Sequence, residues 1–474
     1  MNFPFWDVPI IGGVWVIGAI SIFHVMISHF AVGGGLYLPL AERKALREGR
    51  RDWLEALHRH TRFFVVLTGV FGAVSGVGIW FSIGLVNPEG TSTLIHNFVF
   101  GWAIEWVFFL VELTAAAVYY YTWDRIPEKL HLKVGWVYGV ASIFTLVIIN
   151  GILTFMLTPG ETWLAAADNG TATSAFWAAF FNPTYWPSLG LRVLVAVSLA
   201  GLYGLISASR LDGFAQPELK TALVRWSAKW LWPAFALMPV FFLWYLSTVP
   251  EASRQLLTLG VSTIGQGVFT NVTRAALVTV MTSATILAIV YSVACRLPTS
   301  LNTGWAVSIL GLALMATAST EQAREMLRKP YVVGGYMYSN GVRVRDVARL
   351  NREGYLTGSP WAPSSAGGIV PVADGMSPTL AAGEHMFRGQ CLSCHTTDGY
   401  RAMRQLLQGR NRESIGRFLE TLHAAADDSP YRAFMPPLVG TRQEIDALAD
   451  YLAALTARPA TSLHAAAASA PRTP

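Results

Sequence analysis

Charge is the scarce property of this chain: Asp, Glu, Lys and Arg make up 14% of its 474 residues, against 53% that are hydrophobic. A soluble protein of this length would fold as two or three domains with charged surfaces, and this balance excludes that. Nucleic-acid binding is excluded too. The formal net charge is +6, but the basic residues stand in loops between apolar stretches, where they set membrane topology. Cysteine is nearly absent, with three residues in all. Two of them share one short window. The third, Cys295, therefore has no disulfide framework to join and reads as an inert residue at a helix end. Met1-Asn2-Phe3-Pro4-Phe5 contains no basic residue. A cleaved signal peptide is not expected, and the first apolar stretch must direct its own insertion. No internal repeat is visible. What the chain does have is tryptophan, 17 residues of a type that gathers at bilayer interfaces.

Apolar runs long enough to cross a lipid bilayer occupy about 12–40, 63–86, 97–122, 134–158, 187–209, 228–248, 271–295 and 302–322. The loops between these eight spans alternate in charge. The first, Glu42 to Arg62, carries Arg43, Lys44, Arg47, Arg50, Arg51, Arg59 and Arg62, whereas the second, Asn87 to Asn97, has no Lys or Arg. Arg125, Lys129 and Lys133 mark the third, and the fourth, Gly160 to Pro187, has none. The fifth holds Arg210, Lys220, Arg225 and Lys229, and the sixth only Arg254. By the positive-inside rule the odd loops are cytoplasmic and both termini lie outside, in a multi-pass protein of the inner (cytoplasmic) membrane. Between Lys329 and about Ser377 the sequence turns polar and rich in Gly, Pro and Ser, which reads as an extracytoplasmic linker. It becomes globular over about 378–457 and ends in an Ala/Pro/Thr-rich tail, 458–474, expected to be disordered.

Within the globular stretch stands Cys391-Leu392-Ser393-Cys394-His395. Two thiols three residues apart, followed by a histidine, suit covalent attachment of a c-type haem. Cys391 and Cys394 each add to a vinyl group, and His395 becomes the proximal iron ligand. Haem c is attached outside the cytoplasm, so the motif and the loop charges agree on sidedness. A short helical pattern, Ala381 to Gln390, precedes the motif, an amphipathic run, Glu444 to Leu455, closes the segment, and Phe434-Met435-Pro436-Pro437-Leu438 lies between. This order resembles a class I cytochrome c over about 378–457. The resemblance implies helices flanking the haem and Met435 as its sixth ligand. A thioether opposite a histidine raises the reduction potential and suits electron carriage. A plain packed methionine is the alternative.

In the third span Glu105 and Glu112 are seven residues apart, on one helical face and about 10 Å apart along the axis. Carboxylates inside a bilayer face a cavity, a partner or a cofactor, or else bond to neighbouring helices. In the first span His24 and His29 point about 140° apart around the helix and should not share a ligand plane. Gly33-Gly34-Gly35 would let either a flat macrocycle or another helix come close. For each histidine a hydrogen-bonded core role rivals iron ligation.

These segments resemble subunit I of the cytochrome bd-type quinol oxidases, patchily over residues 1–335. The resemblance is carried by Phe23-His24 with Gly33, by Ala103-Ile104-Glu105, Glu112 and Trp123-Asp124-Arg125, by Ile149-Asn150-Gly151 with Thr158-Pro159, and by Arg328-Lys329-Pro330-Tyr331. It implies that His24 ligates an active-site haem near the outer face, that Glu105 serves the oxygen-reducing haem as ligand or proton donor, and that Glu112 continues the proton path. Arg274 would face a haem propionate. The resemblance also implies haem b, with or without haem d, and a second multi-span membrane subunit.

The departures are as informative. Where the family has a histidine in span five and a methionine in span seven, this chain reads Gly190-Leu191-Arg192-Val193 and Arg274-Ala275-Ala276. The quinol loop shrinks to Ser247 through Phe269, and the family's glutamate in span eight falls on Ala318. Glu321 either substitutes as a haem ligand or pairs with Arg324 or Arg328.

The expected fold is therefore all-α: a polytopic membrane helix bundle of about eight transmembrane helices (1–335), a linker (336–377), a C-terminal extracytoplasmic class I cytochrome c domain (378–457) and a tail (458–474). The expected function is that of a respiratory oxidoreductase subunit that moves electrons between haem c and membrane haem and reduces oxygen to water. Its donor would be a quinol or a soluble cytochrome c. The alternative is a b/c-type electron-transfer cytochrome without oxygen chemistry, and the blandest reading is a membrane anchor for a cytochrome c.

Overall fold

The computed structural model describes residues 6–251, 253–254, 270–358, 376–425, 429 and 431–457. Eight helical segments among these are long and apolar enough to cross a membrane. They are α1 (Gly12–Arg47), α2 (Arg51–Val66) continuing into α3 (Ala73–Val86), α4 (Pro88–Tyr121), α5 (Glu128–Phe155), α6 (Tyr185–Ser209), α7 (Pro217–Thr248), α8 (Thr270–Ile289) with a π-helical extension Val290–Arg296, and α9 (Thr303–Arg328). The chain forms two compact units. One comprises Ala19–Trp80 and Ser92–Arg328; the other comprises Met1–Gly18, Phe81–Thr91 and Lys329–Pro474.

In the first unit the helices extend past the apolar runs. The second span begins at Arg51, not near residue 63, because α2 is amphipathic and buries Trp53, Leu54, Leu57, His60 and Phe64. Glu42, read as a loop residue, is inside α1, and Lys133 is inside α5. The glycines of α1 serve helix packing. A Cβ on Gly33 would lie 1.9 Å from the Ala196 carbonyl oxygen of α6, one on Gly34 2.3 Å from the Phe64 ring of α2, and one on Gly35 2.9 Å from Gly139 of α5. Three successive residues thus admit three neighbouring helices at backbone distance. A π-helical turn, Leu67–Gly72, joins α2 to α3, and such turns frequently mark functional positions.

The second unit contains α10 (Pro378–Gln390), α11 (Arg412–Ala424) and α12 (Arg442–Ala457). Ser377 caps α10 by accepting from the Leu380 amide, with Pro378 at the first helical position, and Asn411 caps α11 through the Ser414 amide. Helices α10 and α12 cross tightly because Gly383 lies against the Ala447 carbonyl, where a Cβ would come within 2.1 Å. Met386, Phe387, Ile415, Leu419, Leu448 and Leu452 form the core.

The stretch expected as a bare linker, 336–377, is folded through Gly358, which corrects that expectation for its described part. Strands β1 (Tyr331–Val333) and β2 (Met337–Tyr338) pair antiparallel. Val342, Leu350, Tyr355 and Leu356 then join the same core as Phe387. Glu444 fixes this segment by accepting from the Tyr355 amide at 2.9 Å and the Leu356 amide at 2.8 Å. Four buried apolar side chains outweigh the loop-like composition around them. Residues 359–375, most of the loop from Ser247 to Phe269, and the 458–474 tail lie outside the described residues.

Candidate functional site

The Cys391-to-His395 motif begins where α10 ends. The Cys394 and His395 amides donate back to the Cys391 carbonyl at 3.0 and 2.9 Å, so both cysteines and the histidine sit on one tight turn. Neither cysteine is in a disulfide. Burial pushes the Cys391 thiol up to about 12. At Cys394 burial acts in the same direction, but it is outweighed by the Lys329 ammonium 3.6 Å from Sγ, with the Ser393 and Ser339 hydroxyls and the Arg401 charge helping, and the thiol is held below its usual value.

His395 Nδ1 lies 3.1 Å from the Arg401 carbonyl oxygen. A carbonyl only accepts, so Nδ1 carries the proton and Nε2 keeps the lone pair that iron requires. Free cysteines on one turn and this fixed tautomer fit a covalent haem. Met435 is half-buried on the loop that follows α11, its amide donating to the Tyr431 carbonyl at 2.8 Å. Leu438 and Val439, three and four residues further on, are buried. Sequence reasoning missed two partners here. Gln390, directly before Cys391, bonds both backbone polar groups of Val439, and His423 Nδ1 donates to the Leu438 carbonyl at 3.0 Å.

In the membrane bundle, His24 Nδ1 lies 3.0 Å from Ser75 Oγ of α3, and Ser75 donates its own proton to the Phe71 carbonyl at 2.6 Å. The hydroxyl proton being committed there, the imidazole donates through Nδ1, and Nε2 is the basic nitrogen. That tautomer fits an iron ligand. Gly76 adjoins the ring, where a Cβ would lie 3.3 Å away. His29, by contrast, is buried and donates Nδ1 to the Val25 carbonyl at 2.9 Å, which is the core role.

Glu112 is buried and lies 3.1 Å from the Tyr138 hydroxyl, which also reaches the Ala31 carbonyl at 3.0 Å. One hydroxyl proton thus faces two acceptors. Glu105, half-buried two turns along α4, makes no hydrogen bond among the described residues. Glu321 accepts from Arg324 Nε at 2.9 Å, and Arg324 and Arg328 both reach Glu325. Arg192, with a buried and unbonded Nε, lies in the electrostatic reach of Glu321, Arg324 and Tyr245. The Glu321–Arg324 pair is one of the two alternatives that the sequence left open, whereas the nearness of Arg192 to it has no sequence signal. Arg274 is exposed near the start of α8.

Residues 15–230 match the family model of cytochrome bd terminal oxidase subunit I. The membrane half has a bd oxidase-like fold. A putative cytochrome bd menaquinol oxidase subunit I of Bacillus subtilis (strain 168) is 26% identical over 178 residues, which is 37% of this chain and 39% of that protein. The chain thus spans well under half the length of this curated relative. Among solved structures, bd oxidase from Geobacillus thermodenitrificans superposes with a TM-score of 0.57 at 16% identity, covering 69% of this chain and 88% of that one. The family match includes His24, Glu105 and Glu112, and it stops before Arg274 and Glu321.

Proposed function

We propose that the chain is the subunit I-like part of a membrane oxidoreductase in which haem c, held by Cys391, Cys394 and His395, exchanges electrons with haem b or d bound at His24, and oxygen is reduced to water. Haem, when bound, would supply the redox chemistry, carrying single electrons and reducing oxygen. The protein's own groups do the rest. Cys391 and Cys394 fix the haem c covalently, Arg401 orients His395, and Met435 completes the ligation. Ser75 orients His24. Glu105 and Glu112 deliver protons, and Arg274 pairs with an anionic haem edge. A quinol or a soluble cytochrome c is the donor, and a second multi-span subunit completes the assembly. The basic odd loops face the cytoplasm and the haem c segment the opposite side.

The observation that carries this reading is the His24 tautomer, held by Ser75 within the family-matched segment that also bears Glu105 and Glu112. The test is a pyridine haemochrome spectrum with haem counted per chain, followed by oxygen uptake from reduced cytochrome c or quinol. One haem c plus at least one non-covalent haem, with oxygen consumption, supports the proposal. One haem c alone refutes the membrane site.

A second reading, electron transfer without oxygen chemistry, is favoured by one observation. Glu321 is held by Arg324, and the stretch Gly190-Leu191-Arg192-Val193 offers no ligand where the resemblance would put a histidine. Non-covalent haem with no oxygen uptake from either donor would establish it.

A further inference from the structure

The carbonyl that orients His395 belongs to a strained residue. Arg401 has φ 49°, in the left-handed region, where among the described residues only Asp124 and Ala425 join it without being glycine. A residue with a Cβ stays in that conformation only where its surroundings over-determine it. Thr396, next after His395 and 2% exposed, closes the turn from one side. Its hydroxyl donates to the Tyr400 carbonyl at 2.9 Å and accepts from the Gly399 amide at 2.8 Å. The Arg401 guanidinium lies 5.3 Å from the centre of the Tyr400 ring.

The other side of the turn is closed from the far end of the sequence. Met1–Gly18 and Lys329–Pro474 belong to the same compact unit, and within it the residues leading into α1 hold Tyr400. Its amide donates to the Ile10 carbonyl at 2.7 Å, and its ring meets the Trp15 indole edge-on at 5.7 Å. The two backbones leave no room for a side chain between them: a Cβ on Gly399 would lie 1.9 Å from the Ile10 oxygen. Apolar contact would suffice to dock one segment on the other. Two hydrogen bonds in series, one from the Tyr400 amide to Ile10 and one from the His395 ring to Arg401, fix a direction as well.

We propose that the segment leading into α1 tunes the reduction potential of haem c through its proximal ligand, with Trp15 and Tyr400 as positioning residues. Haem c at this site rests on the function proposed above; the contacts do not. Ile10 and Trp15 hold Tyr400, Tyr400 and Thr396 hold Arg401 in its left-handed conformation, and the Arg401 carbonyl draws on the Nδ1 proton of His395. That makes Nε2 a stronger electron donor, which favours ferric over ferrous iron and lowers the potential. A thioether from Met435 would pull the other way, so the clamp and Met435 set the potential between them.

The test uses the full chain in detergent and counts covalent haem per chain. A redox titration of the haem c absorbance gives the potential, and the EPR g values of its low-spin ferric form report how the imidazole is oriented. Gly399→Ala must part Tyr400 from Ile10. Trp15→Leu, at a half-exposed position, removes the ring contact without a clash. Both should keep one covalent haem per chain and shift its g values. In Gly399→Ala the reduction equilibrium should move about tenfold towards ferrous iron, ~59 mV upward for one electron, and in Trp15→Leu by less. Trp15→Phe should restore the wild-type potential. Unchanged potential and g values in both disruptive variants would make the contact a mere dock and overturn the clamp, whatever happens to the melting temperature. If Gly399→Ala does not fold, Trp15→Leu decides alone. A wild type without covalent haem refutes the haem c reading, and the clamp with it.

Discussion

The Gln390 carboxamide bonds both backbone polar groups of Val439, donating Nε2 to the carbonyl at 2.8 Å and accepting from the amide at 3.0 Å. Gln390 is the last residue of α10, directly before Cys391, and Val439 closes the loop that carries Met435. One side chain therefore ties the two halves of the proposed haem c site together. Gln390→Leu leaves two buried backbone groups unpaired and should cost about 2–4 kcal/mol. Denaturant unfolding followed by haem c absorbance measures it. A variant as stable as the wild type would show that the loop is held by its apolar residues alone.

Met435 is tested separately. As the proposed second ligand beside His395, its thioether would raise the potential of a c-type haem. Met435→Ala should abolish the methionine-ligation absorbance band and lower the midpoint potential, while the covalent haem count stays at the wild-type value. If the band persists, another side chain is the sixth ligand.

The hydrogen bond between His24 and Ser75 makes a graded prediction. His24→Ala should remove a non-covalent haem outright. Ser75→Ala keeps the ligand but frees its tautomer, and loss of such a supporting partner typically weakens binding about 10–100-fold. Haem titration into the apoprotein reads both. Unaltered non-covalent haem in His24→Ala would leave His24 as a core residue.

The bundle was legible because a bilayer imposes a length and a polarity that any window of sequence displays. All eight spans fall where the apolar runs are, and only their ends differ. Helix α2 starts at Arg51 because Trp53 and Leu57 bury against neighbouring helices, which a hydropathy window does not register. The motif Cys391 to His395 was legible because its chemistry is local. The buried pair of Glu42 and His131 was not, since each lies at the charged end of a helix and looks like loop until α1, α4 and α5 are assembled. Nor was the folded segment from Val342 to Leu356, whose four apolar residues are too widely spaced to show a period. Gln390 gave no signal at all, because its partner is backbone.

The glycines of α1 allow a prediction that separates packing from cofactor binding. A Cβ at Gly33 would lie 1.9 Å from a backbone oxygen of α6, which cannot rotate away as a side chain can. Gly33→Ala must therefore push α1 and α6 apart along their whole contact, and the loss should exceed the 1–3 kcal/mol typical of overpacking. Gly69, in the π-helical turn, has nothing within 4 Å of a built Cβ; Gly69→Ala should be within about 0.5 kcal/mol of neutral or mildly stabilising. Thermal unfolding in detergent, with haem spectra recorded at each temperature, compares the two. The packing account requires Gly33→Ala to lower the midpoint while Gly69→Ala does not. A Gly33→Ala protein that stays folded but has an altered haem spectrum would mean that the macrocycle, and not α6, occupies the space beside Gly33.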